Sequence, residues 1–358
     1  MSVIYFRVDG SQDIGVGHIM RCLTLAIELS SRNYICEFIC KDHESSSVHY
    51  IKKSGFMVHI IEMEINYAST DIYKSWLGGS GLDDAYKFVK IISNNSQCIV
   101  IVDHYGIDYI WENIVSKFCS YILAIDDLAN RMHHCDCILD SAIRRKKSDY
   151  SDVCLENSKL LLGSDYILLR REFNMLRGGA NLIRKKTKKI ETILLNFGGT
   201  DPLFLSKESI EILMEIKFKG DINIILSSDC KFVKELMKII DGLNNIYLHV
   251  DCTNVAEIMM NSDLAVGNFG SSSWERCCLG LPAIVIVSAD NQDYIASSLT
   301  ESGAVIRINE SEIKKTLMGV LERPLDMEWW HNMSEKALKI CDGLGAQRVA
   351  NSLIENVS

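Results

Sequence analysis

Residues 3–22 read VIYFRVDGSQDIGVGHIMRC, and this stretch decides the fold. Val3 to Val8 is a short apolar run, the signature of a buried strand. Gly10, Gly15 and Gly17 follow in a turn, and Ile19 to Leu29 then places Ile19, Leu23 and Ala26 on one helical face. Strand, glycine loop and helix in this order open a parallel α/β unit of the kind that binds nucleotides at the loop.

The same alternation continues outward. Tyr34 to Cys40, Met57 to Ile61, Cys98 to Val102, Tyr121 to Ile125 and Cys137 to Leu139 read as strands. Three of them close on acidic or histidine residues: Asp103-His104, Asp126-Asp127 and Asp140. The carboxyl edge of a parallel sheet is where such folds place their chemistry. Arg177 to Lys189 carries Gly178-Gly179 and a lysine-rich run and reads as a linker. The pattern then restarts with Thr192 to Asn196, Asn223 to Leu226, Ile246 to His249, a helix from Val255 to Asn261, and strands at Leu264 to Val266 and Ala283 to Val287. The expected architecture is α/β, with two Rossmann-like domains facing across a cleft, over residues 1–177 and 190–335. A C-terminal helix over 336–358 is expected to pack back across the domain junction. One large sheet or a barrel is the alternative, and the glycine-rich linker argues against it.

Bulk properties bound the function. At 358 residues, the chain exceeds one ordinary core. A net charge of -9 offers no general surface for nucleic acid. The basic runs Arg144 to Lys147 and Arg184 to Lys189 read as solvated linkers. Thirteen cysteines, an odd number, suit thiols used as small apolar groups in a reducing cytoplasm. Neither a signal peptide nor an 18-residue apolar span is expected. No nucleic-acid partner is expected either, and the working assumption is a monomer.

Four stretches carry candidate chemistry. His18 stands at the start of the first helix, followed by Arg21, where a neutral imidazole can act as general base toward water; helix capping or a surface position is the plain alternative. Asp9, one loop away, is expected to orient the imidazole. Gly270 with Ser271, Ser272 and Ser273 opens a helix with free backbone N–H groups, a cradle for phosphate. Glu275 in the first turn can accept both hydroxyls of a ribose, and ordinary capping explains the same residues. Phe197-Gly198-Gly199-Thr200-Asp201-Pro202 follows a strand directly and suits either close backbone approach or a connecting loop. His133-His134-Cys135-Asp136-Cys137 has metal-binding residue types, but no second Cys-x-x-Cys completes a zinc set, so a structural role is expected.

These motifs, taken in order, resemble a known family. Arg7-Val-Asp9, Gly15-x-Gly17-His18-x-Met-Arg21-Cys22, Asp103-His-Tyr105, Ile125-Asp-Asp127-Leu and His134-Cys-Asp136 match the UDP-2,4-diacetamido-2,4,6-trideoxy-β-L-altropyranose hydrolase family of pseudaminic acid biosynthesis. So do Leu162-Gly163 through Phe173, Phe197 to Pro202, Gly270 to Pro282, Asn291-Gln292 and Asp342 to Arg348. The resemblance implies a GT-B fold, like that of the glycosyltransferase that adds N-acetylglucosamine to the peptidoglycan lipid precursor. Water would replace the acceptor sugar and release UDP without metal or cofactor. It implies His18 as the key catalytic residue, Tyr105 at the active-site edge, and the serine-rich helix start on the diphosphate. Glu275 would take the ribose, with Asn291 and Gln292 near the sugar; Gly17, Arg21, Gly199 and Thr200 complete the expected substrate contacts. One departure stands out: Asn268-Phe269 precedes Gly270 where related loops carry small residues, and Phe269 is expected to narrow the pocket or stack near the nucleotide. A true glycosyltransferase using a UDP-amino sugar, or a silent UDP-sugar binder, is the rival expectation.

Overall fold

The computed structural model describes residues 3–357 except 12, 45, 65–68, 94–96, 287–292 and 322–326. Its strands and helices fall into two units, Met1–Leu168 with Leu344–Ser358, and Leu169–Gly343. The first unit runs β1 (Val3–Val8), α1 (Gly17–Ser30), β2 (Ile35–Lys41), α2 (Val48–Lys53), β3 (Met57–Ile61), α3 (Ile72–Trp76), α4 (Gly81–Ile92), β4 (Ile99–Asp103), α5 (Tyr109–Val115), β5 (Tyr121–Ile125), β6 (Cys137–Asp140) and β7 (Lys159–Leu162). The second runs α6 (Arg171–Lys186), β8 (Thr192–Asn196), α7 (Leu205–Glu215), β9 (Asp221–Leu226), α8 (Val233–Ile239), β10 (Ile246–Val250), α9 (Val255–Met260), β11 (Leu264–Asn268), α10 (Ser271–Cys278), β12 (Ala283–Ile286), α11 (Asp293–Ser302), β13 (Val305–Ile308), α12 (Ile313–Leu321) and α13 (Glu328–Ile340). Helix α14 (Gly345–Val357) returns to the first unit.

The first sheet has the order β3-β2-β1-β4-β5-β6-β7 and the second β10-β9-β8-β11-β12-β13. All pairings are parallel. Both sheets are wound outward in two directions from one central pair, β1 with β4 and β8 with β11. The loops leaving those strands diverge there and leave a crevice at the carboxyl edge. Topology therefore selects four loops: those after β1 and β4, and those after β8 and β11. Burial on both faces explains the continuous apolar runs, since β4 and β5 have every residue buried.

Three expectations are corrected. Arg177 to Lys189 is not a linker: residues through Lys186 belong to α6. Gly178 and Gly179 are tolerated inside it because tertiary packing overrides their low propensity; a Cβ at Gly179 would lie 3.6 Å from Met260 Sδ, so α6 lies close against α9. The basic run ending α6 sits at the favourable end of the helix dipole. Its Arg184 is buried and donates to the carbonyls of Ser262 (2.6 Å) and Met259 (2.9 Å), so it is not a solvated group. Arg145, in the other basic run, donates to the Asp127 carbonyl at 2.7 Å. The single helix expected over 336–358 is two helices, α13 and α14, separated by extended Cys341 and by Gly343 at φ 80°. Trp330 of α13 donates its indole N–H to the Asp263 carbonyl (2.7 Å), whereas Val349, Ala350 and Leu353 of α14 join the core that packs α1.

Candidate active site

In the first unit, the loop after β1 needs Gly15 at φ 82°, a conformation that would strain other residues. It delivers His18 to the first turn of α1, within reach of Asp103 at the end of β4. Asp103 Oδ1 accepts from His18 Nδ1 at 2.7 Å. Arg21, three residues on and so on the same helix face, donates Nε–H to Asp103 Oδ2 (2.5 Å) and Nη2–H to Oδ1 (2.6 Å). Its Nη1 reaches Asp127 Oδ2 at 2.6 Å, and Tyr105 donates its hydroxyl to the same oxygen at 2.9 Å. The Tyr105 ring stands edge-on to the imidazole, 4.8 Å between centroids at 82°.

The electrostatics are balanced. Burial works against the charge on Asp103, but Arg21 and then His18 overrule it and hold the carboxyl well below the usual carboxylate range. Burial, then Asp127, pushes the Tyr105 phenol up, so it stays a hydrogen-bond donor. With the Asp103 carboxylate ionised, His18 Nδ1 carries the proton, and the Nε2 lone pair is left without a hydrogen-bond partner among the described residues. Its side chain keeps 12 % exposure, so this nitrogen can be approached. A fixed tautomer with one accessible lone pair is what a general base requires.

Asp9 is not the orienting group. It is fully buried and accepts from Arg7 Nη1 (2.7 Å) and from the backbone N–H of Lys41 (2.7 Å). Its other oxygen lies 3.4 Å from His104 Nε2 and 3.5 Å from His43 Nε2. Arg7 is also bound bidentately by Asp84, which accepts the Trp111 indole N–H. Successive residues along extended chain point to opposite faces, so Asp103, the last residue of β4, faces His18 while the following His104 faces Asp9. Burial holds the His104 imidazole down to about 4.

Next to this cluster, His133 lies between two acids: Glu112 Oε1 accepts from Nδ1 at 2.8 Å, and Asp126 Oδ2 is 3.8 Å from Nε2. Burial opposes the imidazolium, yet the Asp126 and Glu112 carboxylates beside it raise it to about 9. Glu112, His133 and Cys135 lie near enough to share a cation, their ligand atoms all within 4.8 Å of one another. Both Glu112 oxygens are already engaged, by His133 and by the backbone of His134. Glu112 and His133 thus form a buried pair, with Cys135 beside them.

In the second unit, the loop after β8 places Gly198, Gly199 and Thr200 in exposed positions. Gly198 has φ 84°, and a Cβ on Gly199 would meet that of Ser227 at 3.1 Å. Asp201 accepts from the N–H groups of Leu205 (2.9 Å) and Ser206 (3.0 Å) and so caps α7. The loop after β11 leads through Gly270, where an added Cβ would meet nothing within 4 Å, into α10. Ser271 is exposed and Ser272 half-buried, whereas Ser273 is buried and accepts from Arg276 (2.9 Å) and from the N–H of Gly270 (3.4 Å). Arg276 Nη2 also donates to the Asn268 carbonyl at 3.0 Å, but its Nε and Nη1 have no hydrogen-bond partner among the described residues. Burial lowers this guanidinium to about 10. Glu275 is half-buried, with Arg170 3.3 Å from one oxygen; burial pushes its carboxyl up against the pull of Arg170. Phe269, expected to narrow a pocket or stack near a nucleotide, is turned inward instead. It is 4 % exposed and packs edge-on against Trp274 at 6.2 Å. Asn291 and Gln292 lie outside the described residues.

The sequence reading held Arg170 and Arg276 only as members of longer motifs, with no role, and did not name the aromatic pair Tyr73 and Trp76. The aromatic spacing of three behind a capping Asp71 was the available signal for the last two.

The two doubly wound parallel units define a protein of the GT-B fold class, and solved structures agree. MurG of Acinetobacter baumannii superposes with a TM-score of 0.67 at 13% identity, over 99% of this chain and 100% of its own. The UDP-GlcNAc 2-epimerase of Neisseria meningitidis does so at 0.59 and 13%, over 99% and 100%. No protein-family model matches the chain. Among curated proteins it is similar to the UDP-2,4-diacetamido-2,4,6-trideoxy-β-L-altropyranose hydrolase of Campylobacter jejuni, 26% identical over 301 residues, which are 84% of this chain and 97% of the relative. The family resemblance carried by the motifs is thus borne out along most of the chain. An uncharacterized protein of Methanocaldococcus jannaschii is 26% identical over 79% of the chain, and the match spans only 55% of that longer relative. The spore coat polysaccharide biosynthesis protein SpsG of Bacillus subtilis matches at 23% over 44% of the chain and 46% of its own length.

Proposed function

We propose that this protein hydrolyses a UDP-linked amino-deoxysugar, UDP-2,4-diacetamido-2,4,6-trideoxy-β-L-altropyranose, to UDP and the free sugar. The observation that carries the proposal is the His18–Asp103 pair, an oriented base with one free nitrogen. The similarity to the Campylobacter hydrolase supports the choice of substrate.

Water attacks the anomeric carbon as His18 Nε2 takes its proton. A new C1–O bond forms, the bond from C1 to the phosphate oxygen breaks, and its electron pair leaves with UDP. Asp103 stabilises the imidazolium so formed, and Arg21 with Asp127 keeps Asp103 in place. For a diphosphate, the second unit offers the N-terminus of α10, with its backbone N–H groups and the Ser271 and Ser272 hydroxyls. Arg276 adds charge from beneath the loop without direct contact. Ser273 supports the loop instead of touching the ligand, and Glu275 keeps one oxygen for the ribose. Charge stabilised on the leaving group lowers the need for a separate acid.

The test is ³¹P and ¹H NMR of the purified protein with the sugar nucleotide in ¹⁸O-water, without an acceptor. Unlabelled UDP and sugar carrying ¹⁸O at C1 are expected. Intact sugar nucleotide after prolonged incubation, or turnover that begins only when a sugar acceptor is added, would overturn hydrolysis.

A further inference from the structure

Beside the His18–Asp103 pair, Tyr105 is one of three aromatic side chains that stand together. Tyr73 meets Tyr105 edge-on at 5.2 Å and 74°. Trp76 lies 6.4 Å from Tyr105 with the ring planes 30° apart, and Tyr73 meets Trp76 at 5.2 Å and 74°. Tyr73 and Trp76 belong to α3, a short helix with no fully buried residue, and both are half-exposed. A core role does not account for two large aromatic rings there. Neither the Tyr73 hydroxyl nor the Trp76 indole N–H has a hydrogen-bond partner among the described residues.

Their position is built from two sides. Asp71 accepts from the N–H groups of Tyr73 (2.9 Å) and Lys74 (3.2 Å), which fixes the start of α3. Gly106, directly after Tyr105, lets α3 approach: a Cβ there would lie 2.3 Å from the Tyr73 carbonyl oxygen. Any side chain at 106 would push the two rings away from the catalytic strand end. Tyr105 in turn is held by Asp127 and by the Arg131 guanidinium, 5.9 Å from its ring centre.

We propose that Tyr73 and Trp76 form the wall that recognises the sugar's exocyclic groups, favouring methyl and acetamido substituents over a hydroxymethyl group. This inference rests on the UDP-sugar reading above. Aromatic faces gain by covering C–H and methyl groups, whereas a hydroxymethyl pressed against them loses hydration without a partner. The free indole N–H and phenol suit an acetamido carbonyl. These are specificity residues, distinct from the base and from the groups that hold UDP.

The experiment is calorimetric binding to the full chain carrying His18→Ala, so that no ligand is turned over. The ligands are UDP, UDP-N-acetylglucosamine and the UDP-2,4-diacetamido-2,4,6-trideoxy sugar. The trideoxy sugar nucleotide is expected to bind more tightly than UDP-N-acetylglucosamine. Adding Trp76→Ala should cut that preference by about tenfold and leave UDP affinity within about twofold, and Trp76→Phe, which keeps the ring but not the N–H, should restore part of it. A preference that survives both Trp76→Ala and Tyr73→Ala, or no preference at the outset, with UDP still bound, overturns the wall alone. If UDP itself fails to bind, the UDP-sugar reading falls and the wall falls with it.

Discussion

The carboxyl ends of the two sheets share one plan, strand, glycine loop and helix, and fill it with opposite chemistry. In the first unit, His18, Arg21, Asp103, Asp127 and Tyr105 interlock through short charge-assisted bonds. In the second, the loops after β8 and β11 offer backbone, small side chains and a buried guanidinium, Arg276, whose bonds go to neutral oxygens. The first arrangement is complete in itself: its polar groups satisfy one another, and the result is one imidazole nitrogen held at a fixed angle. The second is unbalanced toward positive potential, the condition under which an anion binds. On the proposed reading, one winding plan serves proton transfer in the first unit and anion binding in the second.

The largest effect that could break this contrast is on turnover. His18→Ala and Asp103→Asn should each slow hydrolysis on the order of 10³-fold, a typical general-base contribution, with UDP affinity unchanged by calorimetry. Equal loss of UDP binding would show that the two ends are not separable in function. In the second unit, Arg276→Met should weaken UDP binding by about tenfold, because a charge-assisted attraction is removed. The melting temperature of the ligand-free protein should hardly change, since relief of the buried charge offsets the lost bonds. Unchanged UDP affinity would remove Arg276 from the anion site.

The pH dependence of stability tests the charge balance of the first unit. His133 is raised from its ordinary 6.5 to about 9, so its contribution is full below 6.5 and is lost as pH rises through 9. His104 is lowered from 6.5 to about 4, so its folded form binds fewer protons than the unfolded chain, and stability falls as pH drops from 6.5 toward 4. Melting temperature measured across pH 4 to 9 should peak near 6.5, and His133→Gln should flatten the alkaline side only. The smallest effect concerns Phe269. Phe269→Leu should leave UDP affinity within about twofold while costing about 1–2 kcal/mol of stability in urea denaturation, as expected of a packed core ring. A larger change in UDP affinity would return Phe269 to the pocket.

Much of the fold was legible because parallel strands buried on both faces must be apolar throughout. Met57–Ile61, Tyr121–Ile125 and Thr192–Asn196 lie where the apolar runs placed them. Lys159–Leu162 and Val305–Ile308 were missed because both are sheet-edge strands, only partly buried, in which Lys159 and Arg307 break the apolar run. The double glycine in α6 was misread because its signal for a break is local, whereas packing against α9 keeps the helix intact.

By itself, the sequence determined the α/β class, the repetition of the unit and the strand ends that carry polar groups, since these follow from apolar run length and glycine placement. It also placed His18 at a helix start. Only the tertiary structure decided which carboxylate orients that histidine. Asp9 is nearer in the chain, but β1 turns it toward Arg7 and Lys41, while the pairing of β1 with β4 brings Asp103 across to His18. The same holds for Phe269, which burial against Trp274 removes from the loop it interrupts in sequence. Apolar patterning is a property of neighbours in the chain; the partner of a side chain is a property of which strands lie side by side.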